Sequence, residues 1–238
     1  MTAAPFLPAD PGGPDAGPAP ARTRLLMAAL KLFAEHGFAK TSIRAIAAEA
    51  QTNVAAVSYY FGDKAALYAA LFSDACGSLA DLVPDFTRPG LPLRRALHCF
   101  FQGSLAPLHH GEMARQMVRL HIREMLEPSE QWERELERDV RGPNEAMARL
   151  LCRHLGLAQP DDDMHRLALT ITGLAFQLWS HQEVVAAMQP QLLASPQAVD
   201  LWAERLTDYA VAMVAAERRR RARAASSFAT DTDPPPVP

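Results

Sequence analysis

Thr41-Ser42-Ile43-Arg44-Ala45-Ile46-Ala47, then Asn53-Val54-Ala55-Ala56-Val57-Ser58-Tyr59-Tyr60-Phe61-Gly62-Asp63-Lys64, is the stretch that decides how this chain reads. Thr41-Ser42 and Asn53 are N-cap residues, whose side chains accept from the free amides that open a helix. The first cap precedes Ile43, Ile46 and Ala47, spaced to face one way. The second precedes a helix expected over Val54 to Tyr60. Ala50-Gln51-Thr52-Asn53 leaves room only for a turn between them. Upstream, Leu26, Leu30 and Phe33 form a helical stripe widened by Leu25, Ala29 and Leu32, which predicts a helix over 21–36 closed by Gly37. Downstream, Gly62-Asp63 stops one helix and caps the next, which carries Leu67, Leu71 and Phe72. Two short helices joined by a tight turn, behind a third, predict a helix-turn-helix.

The second helix of such a pair must enter a major groove. Val54-Ala55-Ala56 is slim and apolar, suited to close approach and to thymine methyl groups. Ser58, Tyr59 and Tyr60 supply hydroxyls, and Lys64, one turn on, can neutralise a phosphate. Phe61 fits the small core better. Taken alone, Tyr59-Tyr60-Phe61 also reads as an aromatic core patch, and Arg44 as a solvated charge. Local charge favours DNA: Arg22 to Lys64 holds six basic and three acidic residues, inside a chain of net charge −3.

The two quoted strings resemble the DNA-binding domain of TetR-family regulators, and residues 23–72 fit that family's three-helix head and linking helix throughout. By position, the resemblance implies that Ser42, Tyr59, Tyr60 and Lys64 hold the DNA backbone, while Arg44, Val54, Ala55, Ala56 and Ser58 face base edges. Gln51 departs from the pattern. The family often has Gly there, so a strained or altered turn is expected. A second resemblance lies in Arg123-Glu124-Met125-Leu126-Glu127-Pro128-Ser129, similar to the C-terminal domain of the family's CecR-like branch, and it covers mainly 112–185. It implies control of transporters and drug sensitivity.

The 238 residues are 49% hydrophobic, enough for a sizeable core in an all-α chain with almost no strand signal. The expected divisions are a disordered arm at 1–20, the head at 21–72, a helical ligand-binding and dimerisation domain at 73–223, and a disordered tail at 224–238. Pro84, Pro89 and Pro92 mark a boundary. Helices follow near 92–108, 112–126, 129–154 with a break at Gly142-Pro143, 161–187 and 197–221. No apolar run is long enough to span a membrane and Met1 to Pro20 lacks a signal-peptide pattern, so a cytoplasmic protein is expected. Cys76, Cys99 and Cys152 are too few and scattered for a disulfide scaffold, and small buried side chains are the expectation.

Two stripes run near the C-terminus: Leu167, Ile171, Leu174, Leu178, His181, Val185, and Val199, Trp202, Leu206, Tyr209, Met213. Their heptad-like spacing suits helix–helix packing, within the chain or between chains. In the family, the last two helices form a four-helix dimer interface. That implies a homodimer through Ile171, Leu174, Leu178, His181, Trp202, Leu206, Tyr209 and Met213, reading a double-stranded palindromic operator. A small-molecule effector would sit among the helices from 92 to 185, where Phe100, Met117, Leu120, His121, Arg123, Glu124, Phe176, Gln177 and Trp179 combine apolar lining with a few polar groups. Arg123–Glu124 reads equally as a structural pair. No cofactor or metal is expected: His109-His110-Gly111-Glu112 lacks helical ligand spacing and a second half. There is no Glu-x-x-His pair, phosphate loop or nucleophile motif, so an enzyme is disfavoured. A regulator controlled by a protein partner is the remaining alternative. Arg218-Arg219-Arg220-Arg221-Ala222-Arg223 reads as a solvated helix end or a weak nucleic-acid contact, and Asp161-Asp162-Asp163 as a helix start.

Overall fold

The computed structural model describes residues 20–72 and 79–230. The expected arm (except Pro20), Cys76 and the last eight residues of the expected tail lie outside that range. Among the described residues the chain is all α, with no strand. The head comprises α1 (Ala21–Lys40), α2 (Ile43–Glu49), α3 (Val54–Phe61) and α4 (Lys64–Ala70). The body comprises α5 (Leu79–Phe86), α6 (Leu93–Leu105), α7 (Glu112–Leu126), α8 (Glu130–Glu135), α9 (Gly142–Leu155), α10 (Asp162–Ser180), α11 (Gln182–Met188) and α12 (Pro196–Thr230).

The helix starts follow the caps. Ser42 accepts from the Ala45 amide, Asn53 from Ala56, Asp63 from Ala66 and Asp161 from Met164, each at 2.7–3.1 Å. Elsewhere tertiary packing reshapes the expected elements. α1 passes Gly37 as a kink (φ 79°, ψ 167°) and continues to Lys40. The boundary expected at Pro84 is instead inside α5. Apolar contact overrides the proline there: α5 lies so close on α6 that a Cβ at Gly103 would come within 2.5 Å of Leu82. Gly142-Pro143 does not break the chain's helical course. Leu136–Arg141 widens into a π-helical turn, and Pro143 enters the first turn of α9, where no amide donor is needed. The helix expected over 161–187 divides at His181 into α10 and α11. α12 runs on to Thr230, past the expected start of the tail at 224.

Two cores organise these helices. One belongs to the body, where α5, α6, α9, α10 and α12 bury Phe86, Phe100, Phe101, Met147, Leu151, Ile171 and Leu206. The other fills the head with Leu25, Leu30, Phe33, Ile46, Val57, Leu67 and Tyr68, and it also takes in Met117 and Leu120 of α7 and Trp132 of α8. The head is thus packed onto α7 as one apolar unit, and α1 lies along α7. Free of that core, the basic run on α12 folds back on the start of α10: Arg220 pairs with Asp163 and Glu217, and Arg221 with Asp161 and Glu217. Arg218 donates to the His154 carbonyl at 3.3 Å. Much of the run's charge is therefore matched within the chain. Cys99 is half-buried and Cys152 buried. Burial pushes the Cys152 thiol up, away from reactivity.

A candidate DNA interface and the helix that carries it

α2 and α3 lie across each other over the head core, with Ile46 and Val57 buried between them and α1. What α3 turns outward is the face expected to read DNA. Val54, Ala55, Ser58, Tyr59 and Tyr60 are exposed, Ala56 is half-buried, and Ser42 and Arg44 are exposed on the neighbouring α2. Tyr59 is 82% exposed and rests edge-on against Tyr60, 4.9 Å between ring centres. An exposed aromatic pair with free hydroxyls can lie along a phosphate backbone and donate to it. Phe61 turns inward as expected and lies under the Arg22 guanidinium at 5.1 Å. Lys64 is placed differently. Its ammonium lies over the Phe38 ring at 4.3 Å, and burial pushes its pKa down, so it must swing off that ring to reach a phosphate.

The turn before α3 carries the strain expected of it. Gln51 has φ 51°, the left-handed region. It closes α2 in a Schellman arrangement: the Thr52 amide donates to Ala47 O at 2.9 Å and the Gln51 amide to Ala48 O at 3.1 Å. Glycine usually fills that position because a Cβ there clashes with its own backbone.

The residues expected to line a ligand pocket divide between the two cores and the surface. Phe100 lies in the body core, and Met117 and Leu120 in the head core. Phe176 and Gln177 face outward. Trp179 meets His121, which is boxed by three rings: Phe72 at 5.2 Å, Trp132 at 5.3 Å and Trp179 at 4.8 Å. His121 Nδ1 lies 3.0 Å from the Met117 carbonyl, and burial pushes the imidazole below its ordinary pKa. Glu124 is already engaged, 1% exposed, accepting from the Tyr68 hydroxyl at 2.5 Å and the Ser129 amide at 2.8 Å. An open groove of about 350 Å³ does lie at the head–body junction, lined by Ala34, Arg119, Ile122, Arg123, Leu126 and Glu127. Of the expected ligand residues it uses only Arg123. Tyr68, the buried partner of Glu124, was not legible as a polar anchor because its position in α4 is that of an ordinary core residue.

The expected dimer stripe divides the same way. Ile171, Leu178 and Leu206 are buried in the chain's own core, and Leu174, Trp202 and Met213 pack against it. His181 and Tyr209 reach the surface. A heptad stripe marks the face that finds apolar neighbours, and here those neighbours are α6 and α9. Among the described residues, the large apolar side chains left exposed on these helices are Leu169 and Phe176 on α10 and Leu201 and Tyr209 on α12.

Residues 93–217 match the model of the C-terminal domain of the HTH-type transcriptional dual regulator CecR, and residues 25–71 that of the bacterial regulatory proteins of the tetR family. The chain is a TetR-family transcriptional regulator of the CecR-like branch. The α2–α3 pair is accordingly its DNA-binding helix-turn-helix. A curated relative, the HTH-type transcriptional dual regulator CecR of Shigella flexneri, is 43% identical over 70 residues, which is 29% of each chain. The match therefore spans under a third of that relative's length. Among solved structures, the fatty acid degradation regulator FadR of Bacillus halodurans superposes with a TM-score of 0.57 at 13% identity, covering 81% of this chain and 95% of that one. A TetR-like transcriptional regulator from Rhodococcus sp. RHA1 superposes with 0.52 at 21% identity, covering 81% and 96%. At such identities these two establish the fold alone. Among the described residues, no helix of this CecR-like regulator is long and apolar enough to cross a membrane.

Proposed function

We propose that this CecR-like regulator is a cytoplasmic homodimeric repressor that holds a palindromic operator with two copies of α3 and lets go when a small molecule binds its body. The observation that carries the reading is the unoccupied outer face of the helix-turn-helix. Val54, Ala55 and Ser58 stand exposed beside Arg44, flanked by the hydroxyls of Ser42, Tyr59 and Tyr60. Small residues where bases would lie, bordered by donors where phosphates would lie, are the arrangement direct readout needs. One helix of eight residues covers only a few base pairs, so a usable site calls for a second head. The exposed Leu169, Phe176, Leu201 and Tyr209 offer α10 and α12 an apolar face for that second copy. An effector acts most directly on the ring cluster around His121, where α4, α7, α8 and α10 meet and apolar walls surround a single imidazole.

The test selects binding sites for the purified full chain from random duplex DNA, measures affinity by gel shift across a salt series, and weighs the complex by light scattering. A palindromic site bound by two chains, with steep salt dependence, is the expected result. A single unrepeated site bound by one chain overturns the dimeric reading. Screening small molecules for release of the selected duplex tests the effector. Reporter expression that rises when the protein binds overturns repression.

A further inference from the structure

We propose that Arg123 and Glu124 are positioning residues for DNA binding: adjacent on α7, they latch the head at two points, α1 and α4, and so set the distance between the two recognition helices. The Arg123 half is a helix cap supplied from another domain. The kink at Gly37 falls at the end of the first part of α1. Arg123 Nε donates to Ala34 O at 3.3 Å and Nη2 to Glu35 O at 2.9 Å. A cation there also meets the negative end of the helix dipole. Gly37 fits this use by supplying the positive φ, and the Arg123 side chain lies within ordinary contact of the place a Cβ would take, at 3.4 Å.

The Glu124 half works through buried atoms. One carboxylate oxygen takes the Tyr68 hydroxyl, in the middle of α4, and the other takes the Ser129 amide. Ser129 Oγ in turn accepts from the Trp132 amide at 3.3 Å and starts α8. Trp132 then meets Phe72, two residues past the end of α4, with 6.1 Å between ring centres. The stretch from Arg123 to Ser129 thus has a physical reason for its composition: charge for α1, a carboxylate for α4, and a cap for α8, which packs on α4. Hydrogen bonds to charged groups are directional, and the Tyr68–Glu124 bond is buried, so together the two contacts favour one seat of the head on the body.

The proposal rests on the two-headed operator reading, and the experiment separates their failures. Full-length wild type, Arg123→Gln, Arg123→Lys and Tyr68→Phe are compared on duplexes in which the half-sites selected by wild type are moved apart or together one base pair at a time. Wild type is expected to favour one spacing. Arg123→Gln and Tyr68→Phe are expected to lose about tenfold at that spacing while losing little at its neighbours, so the profile flattens. Arg123→Lys, which keeps the cation, recovers part of the preference. A uniform loss at all spacings, or an unchanged profile, overturns the latch, because a merely structural role lowers every spacing alike. If wild type selects only a lone half-site, the two-headed reading fails and amide hydrogen exchange decides the latch. Loosening of 25–72 alone in Arg123→Gln supports it, and equal loosening of 25–72 and 93–217 overturns it. Arg123 lies partly exposed at the surface, so this variant keeps the test available if Tyr68→Phe fails to fold.

Discussion

Replacing Gln51 by glycine should make this protein more stable, against the usual direction of point mutations. Gln51 is held at φ 51° by two Schellman hydrogen bonds that close α2, and its side chain is exposed, so the substitution discards no packing. A residue with a Cβ in the left-handed region costs about 1–2 kcal/mol. Glycine gives back about 0.4–1 kcal/mol through its freer unfolded chain. The net gain lies between about 0 and 1.6 kcal/mol, centred at about 0.8, a rise in Tm of about 2–3 °C at the centre for a chain of this size. Thermal and urea melts followed by circular dichroism measure it, with Gln51→Ala as the control that keeps the Cβ and stays at or below wild type. Operator affinity should be unchanged, since the turn keeps its hydrogen bonds. A Tm for Gln51→Gly equal to or below wild type would refute the strain argument.

The remaining expectations are briefer. Tyr59→Ala should weaken binding to all DNA sequences alike, whereas Arg44→Ala should cost about 1–3 kcal/mol at one base position and relax preference there, read by gel shifts on a panel of single-base variants. Lys64→Ala should lower the slope of log affinity against log salt by about 0.9, once the ammonium has left Phe38 for a phosphate; an unchanged slope would leave Lys64 on its ring in the complex. Gly37→Ala should lose about 1–3 kcal/mol of stability in urea melts, because φ 79° with ψ 167° is backbone that essentially only glycine adopts. Hydrogen bonds from Arg221 and Arg220 hold the Asp161 and Asp163 carboxyls below their ordinary range. A depressed folded-state pKa adds stability above the unfolded value, about 3.9 for aspartate, and that stability disappears as pH falls through the folded value. The stability gap between wild type and Arg221→Ala should therefore be present at neutral pH and close in strong acid. A gap that persists unchanged into strong acid would mean that Arg221 acts through packing.

The helix-turn-helix was legible because everything that specifies it is local. Ser42, Asn53 and Asp63 each accept from an amide three residues on, and Ile43, Ile46 and Ala47 repeat at helical spacing, so sequence neighbours are also spatial neighbours. Exposure of Tyr59 beside a buried Val57 follows from helical geometry. Gln51 was legible for the same reason, since a four-residue turn leaves its backbone few choices.

What the amino-acid sequence determined by itself, then, was the all-α class, the head with its capped helices, the outward face of α3 and the family. All of it rests on contacts a few residues apart in the chain. Only the tertiary structure decided which side of α10 and α12 meets the body and which is left bare, because a heptad stripe specifies a partner helix without saying whose. Only it showed Pro84 inside α5, whose Leu82 packs against Gly103, and Arg220 and Arg221 folded back on Asp163 and Asp161. The junction is the plainest case. Arg123 and Ala34 lie 89 residues apart, and Tyr68 and Glu124 lie 56 apart. Hydrogen bonds across such separations leave no periodicity in the chain, so the residues that hold head to body could be seen only once α1 and α4 had been folded against α7.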